Sequence, residues 1–318
     1  MNKALITGAG GFIGHNLSEF LLAEDWQVIG MDYGTPPRLK HSNYTYSQES
    51  VLNLATVNYY VQRVDAVFHL AAQVGVDQTY GPVTKLINEH FDGDRIVFEA
   101  CAKYKVPVLF SSTSECYGKN PHIPWSEDAD CVLGTSSKSR WSYAASKLLS
   151  EHLALAMYRS HNLDVRIVRL FNITWPGQSD RFVLPRFAKQ AVHGQVLTVY
   201  GDGQQKRTFC DIRDCVPALY RLMIPNAKGQ IINIGSQQEI TMLNLAKDVI
   251  LYNKKGSLTL IDYVDAYGPN FDDMQRRLPD LNKIKLLIGW EPTIPLGWTI
   301  KDILAHELQQ AKREGICE

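Results

Sequence analysis

The chain has 318 residues, 45% of them hydrophobic and 21% charged, and its 33 basic and 33 acidic residues give a formal net charge of zero. This composition is ordinary for a soluble globular protein that is long enough for one large domain or two closely joined ones. The balanced charge gives no electrostatic basis for binding a nucleic acid polymer or an anionic membrane, so neither partner is expected.

Targeting and redox features favour the cytoplasm. A strand-like run begins at Lys3, so no signal peptide is expected before it, and no apolar run reaches the length of a membrane span. The six cysteines are scattered, without a Cys-x-x-Cys pair or a histidine spacing typical of zinc. Single thiols in a long chain favour a reducing compartment, and no metal site is expected.

Short apolar runs alternate along the first half of the chain with longer segments of helical period. Strands are predicted at residues 4–7, 27–31, 66–70, 106–111, 164–170 and, late in the chain, 231–234. Helices are predicted at about 12–24, 83–104, 141–161 and 299–313. Alternation of this kind is typical of parallel strands joined by helical crossovers, so the predicted fold class is α/β with a doubly wound parallel sheet.

The sequence pattern changes after Leu170, and this change predicts a boundary between two domains. Turn-forming segments such as Trp175-Pro176-Gly177 and Tyr200-Gly201-Asp202-Gly203 separate shorter elements from there on. We expect a first domain over residues 1–170 that carries the parallel sheet, and a smaller α/β lobe over residues 171–318 that binds substrate. The strand predicted near 231–234 is expected to rejoin the first sheet.

The first predicted strand runs directly into a glycine-rich turn, Gly8-Ala9-Gly10-Gly11-Phe12-Ile13-Gly14. In this pattern Gly8 permits the tight turn, Gly11 lets the backbone approach a pyrophosphate, and Gly14 allows close packing of helix on strand. The helix that opens at Phe12 and Ile13 offers free amides to phosphate groups. The spacing therefore predicts a dinucleotide site formed by Gly8, Gly11, Phe12, Ile13 and Gly14.

Asp32 closes the second predicted strand, at the position from which a carboxylate binds ribose hydroxyls. Because that carboxylate repels a 2′-phosphate, NAD is predicted as the cofactor, although Arg38 nearby leaves NADP as an alternative. A turn-capping role is the other interpretation of Asp32. Leu70, Ala71 and Ala72 follow the next strand, where small residues let the cofactor lie against the sheet edge.

Tyr143 and Lys147 lie four residues apart in the predicted helix 141–161, so their side chains share one face. A free phenol with a pKa of about 10 is a poor base at neutral pH, and a neighbouring ammonium lowers that pKa. Lys147 also has the reach to hold ribose hydroxyls. A dinucleotide beside such a pair predicts the oxidation of an alcohol by hydride transfer, next to the hydroxyls and carboxylate of Thr113-Ser114-Glu115.

Together these motifs resemble, over nearly the whole chain, the extended short-chain dehydrogenase/reductase family that acts on nucleotide sugars. The matching segments are the glycine turn, Asp32, residues 69–72 and 113–115, Tyr143 and Lys147, Phe171-Asn172 and residues 200–203. The resemblance implies a Rossmann domain that binds NAD and a smaller lobe that binds a nucleoside-diphosphate sugar. It also implies a homodimer formed through the helices at 83–104 and 141–161.

Three segments are similar to UDP-glucuronate decarboxylases in particular. They are Thr113-Ser114-Glu115, the Arg140-Trp141 pair before the tyrosine, and Arg277-Leu278-Pro279-Asp280, which matches an Arg-x-Pro-Asp segment of those enzymes. GDP-mannose 4,6-dehydratases share the first triplet, so a nucleotide-sugar 4-epimerase or 4,6-dehydratase remains an alternative. A non-catalytic NAD-binding protein on the same fold is a more distant one.

The decarboxylase resemblance implies a role for each candidate residue. Tyr143 would take the proton of the sugar 4-hydroxyl, with Thr113 hydrogen-bonded to the 4-oxygen. Arg277 and Ser114 would hold the substrate carboxylate, and Glu115 would manage a proton near C5. The product would be UDP-xylose, or a UDP-4-keto-pentose if release preceded hydride return. The other substrate-binding residues that the resemblance implies are Arg140, Asn172 and Arg207.

Overall fold

The structure, a computed structural model, describes residues 2–34, 36, 39–72, 83–268, 272 and 274–315. Its strands are β1 (Lys3–Thr7), β2 (Gln27–Met31), β3 (Tyr44–Ser47), β4 (Ala66–His69), β5 (Val108–Thr113), β6 (Val165–Leu170), β7 (Ile173–Thr174), β8 (Leu197–Tyr200), β9 (Lys206–Thr208), β10 (Cys210–Asp211), β11 (Gln230–Ile234), β12 (Glu239–Thr241) and β13 (Leu258–Ile261). Its α-helices are α1 (Phe12–Ala23), α2 (Leu54–Val61), α3 (Val83–Tyr104), α4 (Ser142–His161), α5 (Val183–Val192), α6 (Ile212–Arg221), α7 (Met242–Asn253), α8 (Tyr263–Tyr267), α9 (Asn282–Ile288) and α10 (Leu296–Arg313). Short 3₁₀ helices cover Ser114–Tyr117, Ser139–Trp141 and Pro225–Ala227.

Seven strands form one sheet in the order β11-β6-β5-β4-β1-β2-β3. Every neighbouring pair in it runs parallel, and β1 lies between β4 and β2. The predicted α/β fold with a doubly wound parallel sheet is therefore confirmed. The strand order reverses at β1, and ligands of such sheets bind outside the carboxyl ends of the strands at this switch point.

Most predicted elements are found, with small shifts at their ends. Helix α3 has the predicted bounds, whereas α10 begins earlier than predicted, at Leu296. Strand β5 continues to Thr113 because Thr113 pairs with Leu170 on β6. Strand β3 was not predicted, since its sequence Tyr-Thr-Tyr-Ser has no apolar run and it forms an edge of the sheet beside β2.

Two hydrophobic clusters cover the two faces of the sheet. Leu5 and Ile6 are neighbours on β1 but belong to different clusters, because successive side chains of a strand point to opposite faces. Ile6 packs in the cluster that contains residues of α1 and α6. Leu5 packs in the cluster that contains residues of α2, α3 and α4. The sheet is thus buried on both sides, which leaves its strand ends as the place for a site.

A third cluster lies in the second half of the chain. It joins β8 with the buried faces of α5, α7 and α10, including Phe187, Leu245 and Ile300. Strand β11 stays with the first sheet, where it pairs with β6 in register from Gln230 opposite Arg166. We therefore propose that this third cluster is the core of the smaller lobe and that the domain boundary lies after β6.

The long helices of the chain carry charged residues on their exposed faces. Helix α3, the longest at 22 residues, includes basic and acidic side chains along its length. Within the described ranges, no helix combines the length and apolar character that a membrane crossing requires.

Candidate active site

The glycine turn brings strand, loop and helix backbones into contact. A Cβ on Gly8, whose φ is +73°, would lie 2.8 Å from the amide nitrogen of Ala71. A Cβ on Gly14 would lie 2.2 Å from the carbonyl oxygen of Gly8, so α1 packs directly on the turn. Helix α1 begins at Phe12 after Gly11, which has no side chain to cap the first amides. Those amides and the positive end of the helix dipole are therefore available to an anion.

Asp32 follows β2 and lies beside the glycine turn. Its Oδ2 accepts a hydrogen bond from the Gly10 amide at 3.1 Å, and its Oδ1 accepts one from the Gly34 amide at 2.9 Å. The carboxylate thus closes its own turn and also lines a large cavity over the strand ends, so both interpretations of Asp32 fit its geometry. Arg38, on which the NADP alternative depended, lies outside the described residues.

This cavity, of about 1370 Å³, lies over the carboxyl ends of the sheet strands. Every predicted site residue lines it except Lys147, from Gly8 and Asp32 on one side to Arg207 and Arg277 on the other. Small-molecule sites usually measure roughly 300–1,000 Å³, so this one has room for a dinucleotide together with a second ligand. We call the two parts the cofactor half (glycine turn, Asp32 and 70–72) and the substrate half (114–115, Arg140, Asn172, Arg207 and Arg277).

Tyr143, in the first turn of α4, lies where the two halves meet and hydrogen-bonds to Thr113 at the end of β5. Burial raises the pKa of its phenol above the ordinary value and the Glu115 carboxylate raises it further, whereas the Thr113 hydrogen bond acts to lower it. In the polypeptide alone the net shift of this pKa is upward, because desolvation of the phenolate is the largest effect, and the lowering expected from Lys147 beside a bound nicotinamide stays a prediction.

Lys147 lies one helical turn beyond Tyr143 and behind the cavity wall, with only 1% of its surface exposed. Its Nζ is 3.6 Å from Oδ2 of Asp94 on α3 and 4.4 Å from the ring centroid of Phe110 on β5. In the part of the chain that the structure describes, no group accepts a hydrogen bond from this ammonium. Lys147 is thus a buried cation with one ionic partner and unused donors.

The hydroxyl-rich segment forms the short 3₁₀ helix Ser114–Tyr117 directly after β5. Oγ1 of Thr113 accepts a hydrogen bond from the Glu115 amide at 3.2 Å and so caps this helix. Thr113, Ser114 and Glu115 are all buried, and all three line the cavity. One local turn therefore places two hydroxyls and a carboxylate beside Tyr143, as the sequence predicts.

Glu115 is held between two arginines from distant segments. Its Oε2 lies 2.7 Å from Nη1 of Arg140, and its Oε1 lies 2.6 Å from Nη1 of Arg277. Burial alone would raise the pKa of Glu115, but the charges of Arg277 and Arg140 lower it to about 2. A carboxylate with that pKa is a weak base at neutral pH while both arginines hold it, and the proton transfer predicted for Glu115 near C5 stays a prediction.

Asn172 and Arg207 complete the substrate half. Nδ2 of Asn172 donates to the Thr208 carbonyl oxygen at 2.8 Å, which fixes the amide beside Arg207 on β9. Nη1 of Arg207 donates to the carbonyl oxygen of Lys206 at 2.9 Å, and its charge also lowers the pKa of Glu115. Arg140, Arg207 and Arg277 therefore all act on the Glu115 carboxylate.

Several charged residues near the site were not predicted, and they include Arg181, Arg186 and Asp94. Arg181 and Arg186, near the start of α5, line the substrate half but belong to no motif. Asp94 pairs with Lys147 from the buried face of α3. The sequence does carry a signal for Asp94, because a charged residue within the buried stripe of an amphipathic helix needs a partner.

The cofactor half fits a dinucleotide on observations of its own. At Gly8 and Gly14 the turn has no room for a side chain, and the first amides of α1 have no side-chain cap, so they can hold a pyrophosphate. Asp32 presents a carboxylate at the end of β2, and Lys147, behind the cavity wall, keeps unused donors one turn from Tyr143. These are the residues that would hold NAD.

The comparisons with known proteins match most of this chain. The model of the NAD dependent epimerase/dehydratase family matches residues 4–235. A curated relative, the UDP-N-acetyl-alpha-D-glucosaminuronate decarboxylase of Bacillus cytotoxicus, is 37% identical over 311 residues, which cover 95% of this chain and 96% of the relative.

Solved structures agree with the fold. The UDP-glucuronic acid 4-epimerase of Bacillus cereus, in complex with UDP-glucuronic acid and NAD, is 25% identical and superposes with a TM-score of 0.87 over 97% of this chain and 99% of its own. An epimerase of Methanothermobacter thermautotrophicus, 24% identical, superposes with a TM-score of 0.88 over 99% of this chain and 94% of its own. The second likeness bears on the fold alone.

Proposed function

This chain belongs to the NAD dependent epimerase/dehydratase family, and from that membership we propose that it is a UDP-uronate decarboxylase. It is an NAD-dependent enzyme of the kind that modifies nucleotide sugars. The proposal concerns the step after oxidation at C4 of the sugar, because that step separates decarboxylases from epimerases and dehydratases.

The carboxylate site beside Tyr143 is the observation that carries the proposal. Arg140 and Arg277 already bind a carboxylate there, that of Glu115, with N–O distances of 2.7 and 2.6 Å. Because both guanidinium groups bind a carboxylate in this buried site, the site is chemically suited to a carboxylate of the substrate. A hexuronate brings such a group at C6, whereas a neutral hexose brings none. The planar guanidinium group of arginine also matches a carboxylate in geometry, because two of its N–H groups can donate to the two carboxylate oxygens.

Each residue of the site then has its own step in the reaction. Tyr143 takes the proton of the 4-hydroxyl, and Thr113 donates to the same oxygen as it becomes a carbonyl. NAD, held by the glycine turn, would accept the hydride that leaves C4 and would return it to C4 after carbon dioxide is lost, which gives the pentose; release before that return gives the 4-keto-pentose. The C4 ketone is β to the carboxylate, so the C5–C6 bond breaks with its electron pair passing into an enolate, and carbon dioxide leaves. Arg277 and Ser114 orient the carboxylate before that step, and C5 of the enolate then takes a proton from solvent.

Arg140 shares the Glu115 carboxylate with Arg277, so we assign it the same role from the opposite side. Asn172 and Arg207 are placed to bind the diphosphate or ribose. The excess of arginines in the substrate half, with Arg181 and Arg186 added, supports a ligand that carries a diphosphate as well as a carboxylate. Arginine is suited to both groups because its planar fork matches their oxygens.

The substituent at C2 of the sugar is the finer part of the proposal. UDP-glucuronate is the substrate suggested by the motifs of this sequence, and UDP-N-acetylglucosaminuronate is the one in the name of the 37% identical relative. We propose that the acceptable substrates are UDP-hexuronates of these two kinds. We also propose a cytoplasmic homodimer that pairs α3 and α4 with the same helices of a second copy, because Ile87 and Leu149 leave apolar surface exposed on them.

The test compares both hexuronates with UDP-glucose in the presence of NAD. We expect carbon dioxide and a UDP-pentose, detected by mass spectrometry, from at least one hexuronate. A hexuronate isomer of unchanged mass would assign the chain as a 4-epimerase, loss of water from UDP-glucose would assign a 4,6-dehydratase, and binding without conversion would leave a non-catalytic protein. Each of these three results overturns the proposal.

A neighbouring pair of arginines supplies matched variants for the same assay. Arg277→Met removes a buried guanidinium from the carboxylate site, and we expect kcat/KM for the hexuronate to fall about 100-fold, since a hydrogen bond to a charged group contributes up to about 3 kcal/mol. Arg276→Met removes an exposed guanidinium paired with Glu239 and should change it less than about twofold. Calorimetric binding of UDP checks that both variants are folded.

A further inference from the structure

A buried chain of polar groups connects the glycine turn to Lys147. The Ala71 amide donates to Oγ1 of Thr7 at 3.3 Å, and this oxygen lies 2.7 Å from Nδ1 of His69. On the other side of the imidazole, Nε2 lies 2.9 Å from Oδ1 of Asp94, whose Oδ2 lies 3.6 Å from Nζ of Lys147. Apart from Ala71, none of these residues is more than 1% exposed. The chain therefore joins β1, β4, α3 and α4 without solvent.

The proton positions in this chain depend on the tautomer of His69. In the neutral imidazole protonated at Nε2, the Thr7 hydroxyl donates to Nδ1 of His69, and the N–H at Nε2 donates to Asp94. Burial alone would raise the pKa of Asp94, but Lys147 and His69 hold it below its ordinary value. Asp94 is therefore a carboxylate at neutral pH, and it balances an ammonium that would otherwise be buried without a counter-charge.

The position of Asp94 relates it to catalysis through two neighbours. Lys147 stands one turn from Tyr143 on α4, and the Asp94 charge also reaches Tyr143, where it acts to raise the pKa of the phenol. A single buried carboxylate thus acts on both members of the Tyr143–Lys147 pair. No role for such a carboxylate is contained in the motifs from which the pair was predicted.

We propose that Asp94 is a positioning residue that fixes the Lys147 ammonium behind Tyr143 and sets the pH range in which the two residues work together. The inference rests on the proposed roles of Tyr143 and Lys147 in oxidation at C4, and it does not depend on what happens to the sugar afterwards. The titratable groups that face this pair are His69 from β4, His90 from α3 and Glu115 and Cys116 from the segment after β5.

Removal of the charge of Asp94 gives a prediction of definite sign. Without this negative charge, Tyr143 gives up its proton at lower pH than in the wild-type protein. The phenol then becomes a base at lower pH. In Asp94→Asn, the acidic limb of the kcat profile should therefore move to lower pH by about one unit or more.

Asp92→Asn is the matched control, because Asp92 lies on the same helix but is exposed and paired only with Arg95 at 3.4 Å among the described residues. Its pH profile should stay within about 0.2 units of the wild type.

A merely structural Asp94 would lower kcat or thermal stability and leave the pH profile unmoved, and that result overturns the inference. If Asp94→Asn does not fold, Asp94→Thr removes the same charge with a smaller side chain and has the same expected shift. The profile is recorded with whichever UDP-sugar the wild type oxidises at C4. A failed assignment as a decarboxylase therefore leaves this test in place.

Discussion

The two halves of the cavity are built by different means. The cofactor half consists of backbone and small residues at strand ends, and its geometry is fixed by close approaches such as that of Gly14 to Gly8. The substrate half consists of long charged side chains, and its geometry is fixed by ion pairs such as that of Glu115 with Arg277. A side chain added in the cofactor half therefore overlaps with backbone atoms. A substitution in the substrate half instead alters the balance of charges.

This difference tells us which properties each half can vary. A backbone site tolerates almost no substitution, and it serves any ligand with the same phosphate geometry. A site of side-chain charges can be altered one residue at a time, and it discriminates among ligands by their charge. The cofactor half, which is rigid, thus serves the oxidation step, and the substrate half, which can be altered residue by residue, determines which sugar is accepted. Tyr143 lies between the two halves.

The substitution Tyr143→Phe should have the largest effect on activity, because Tyr143 serves both the cofactor half and the substrate half. We expect kcat to fall on the order of 1,000-fold, since general-base catalysis contributes about 10²–10⁴-fold. NAD affinity, measured by fluorescence quenching, should stay within about twofold, because the backbone site is untouched. Tyr33→Phe, at an exposed position on the rim of the cofactor half, is the control and should keep its activity. Unchanged turnover in Tyr143→Phe would remove the phenol from the mechanism.

Because the substrate half is held together by ion pairs, the unfolding free energy of the protein should depend on pH. The pKa of Glu115 is about 2 in the folded protein against an ordinary value of 4.5. A carboxylate with a depressed pKa stabilises the fold fully above about pH 5, and this contribution, about 3 kcal/mol, is lost as the pH falls from about 5 to 2. Denaturant unfolding of Glu115→Gln should therefore have a flatter pH dependence than the wild type below pH 5.

The exposed carboxylate of Glu99, paired with Arg95 on the surface of α3, provides the control for that measurement. Glu99→Gln should follow the wild-type curve, because an exposed pair is screened by solvent. If Glu115→Gln and the wild type lost stability in parallel between pH 5 and 3, the ion pairs of Glu115 would not contribute as their geometry indicates.

The same contrast explains what the sequence could and could not predict. The glycine turn is contiguous, so seven neighbouring residues carry its whole geometry, and the parallel sheet follows from local alternation. Glu115, Arg140 and Arg277 were each predicted as site residues, but their convergence on one another depends on segments far apart in the chain. The raised pKa of Tyr143 was missed because burial is a property of the fold and not of the motif. Asp94 was missed because its partners lie on other elements.

A pair of glycine substitutions gives the smallest and most local test, within the cofactor half. Gly14→Ala places a Cβ 2.2 Å from the Gly8 carbonyl oxygen, and backbone on both sides must shift, so we expect a loss of about 2 kcal/mol in unfolding free energy. At Gly11 the nearest atom, the same oxygen, is 3.2 Å away and φ is −78°, so alanine there should cost less than about 1 kcal/mol. Gly11 also lines the cavity, where an added methyl group takes up space in the cofactor half, so the Kd for NAD should rise while stability is nearly kept. Should both variants lose only stability, or both only NAD affinity, Gly11 and Gly14 would not have the separate roles that their distances assign, and the cofactor half would be less rigid than its contacts require.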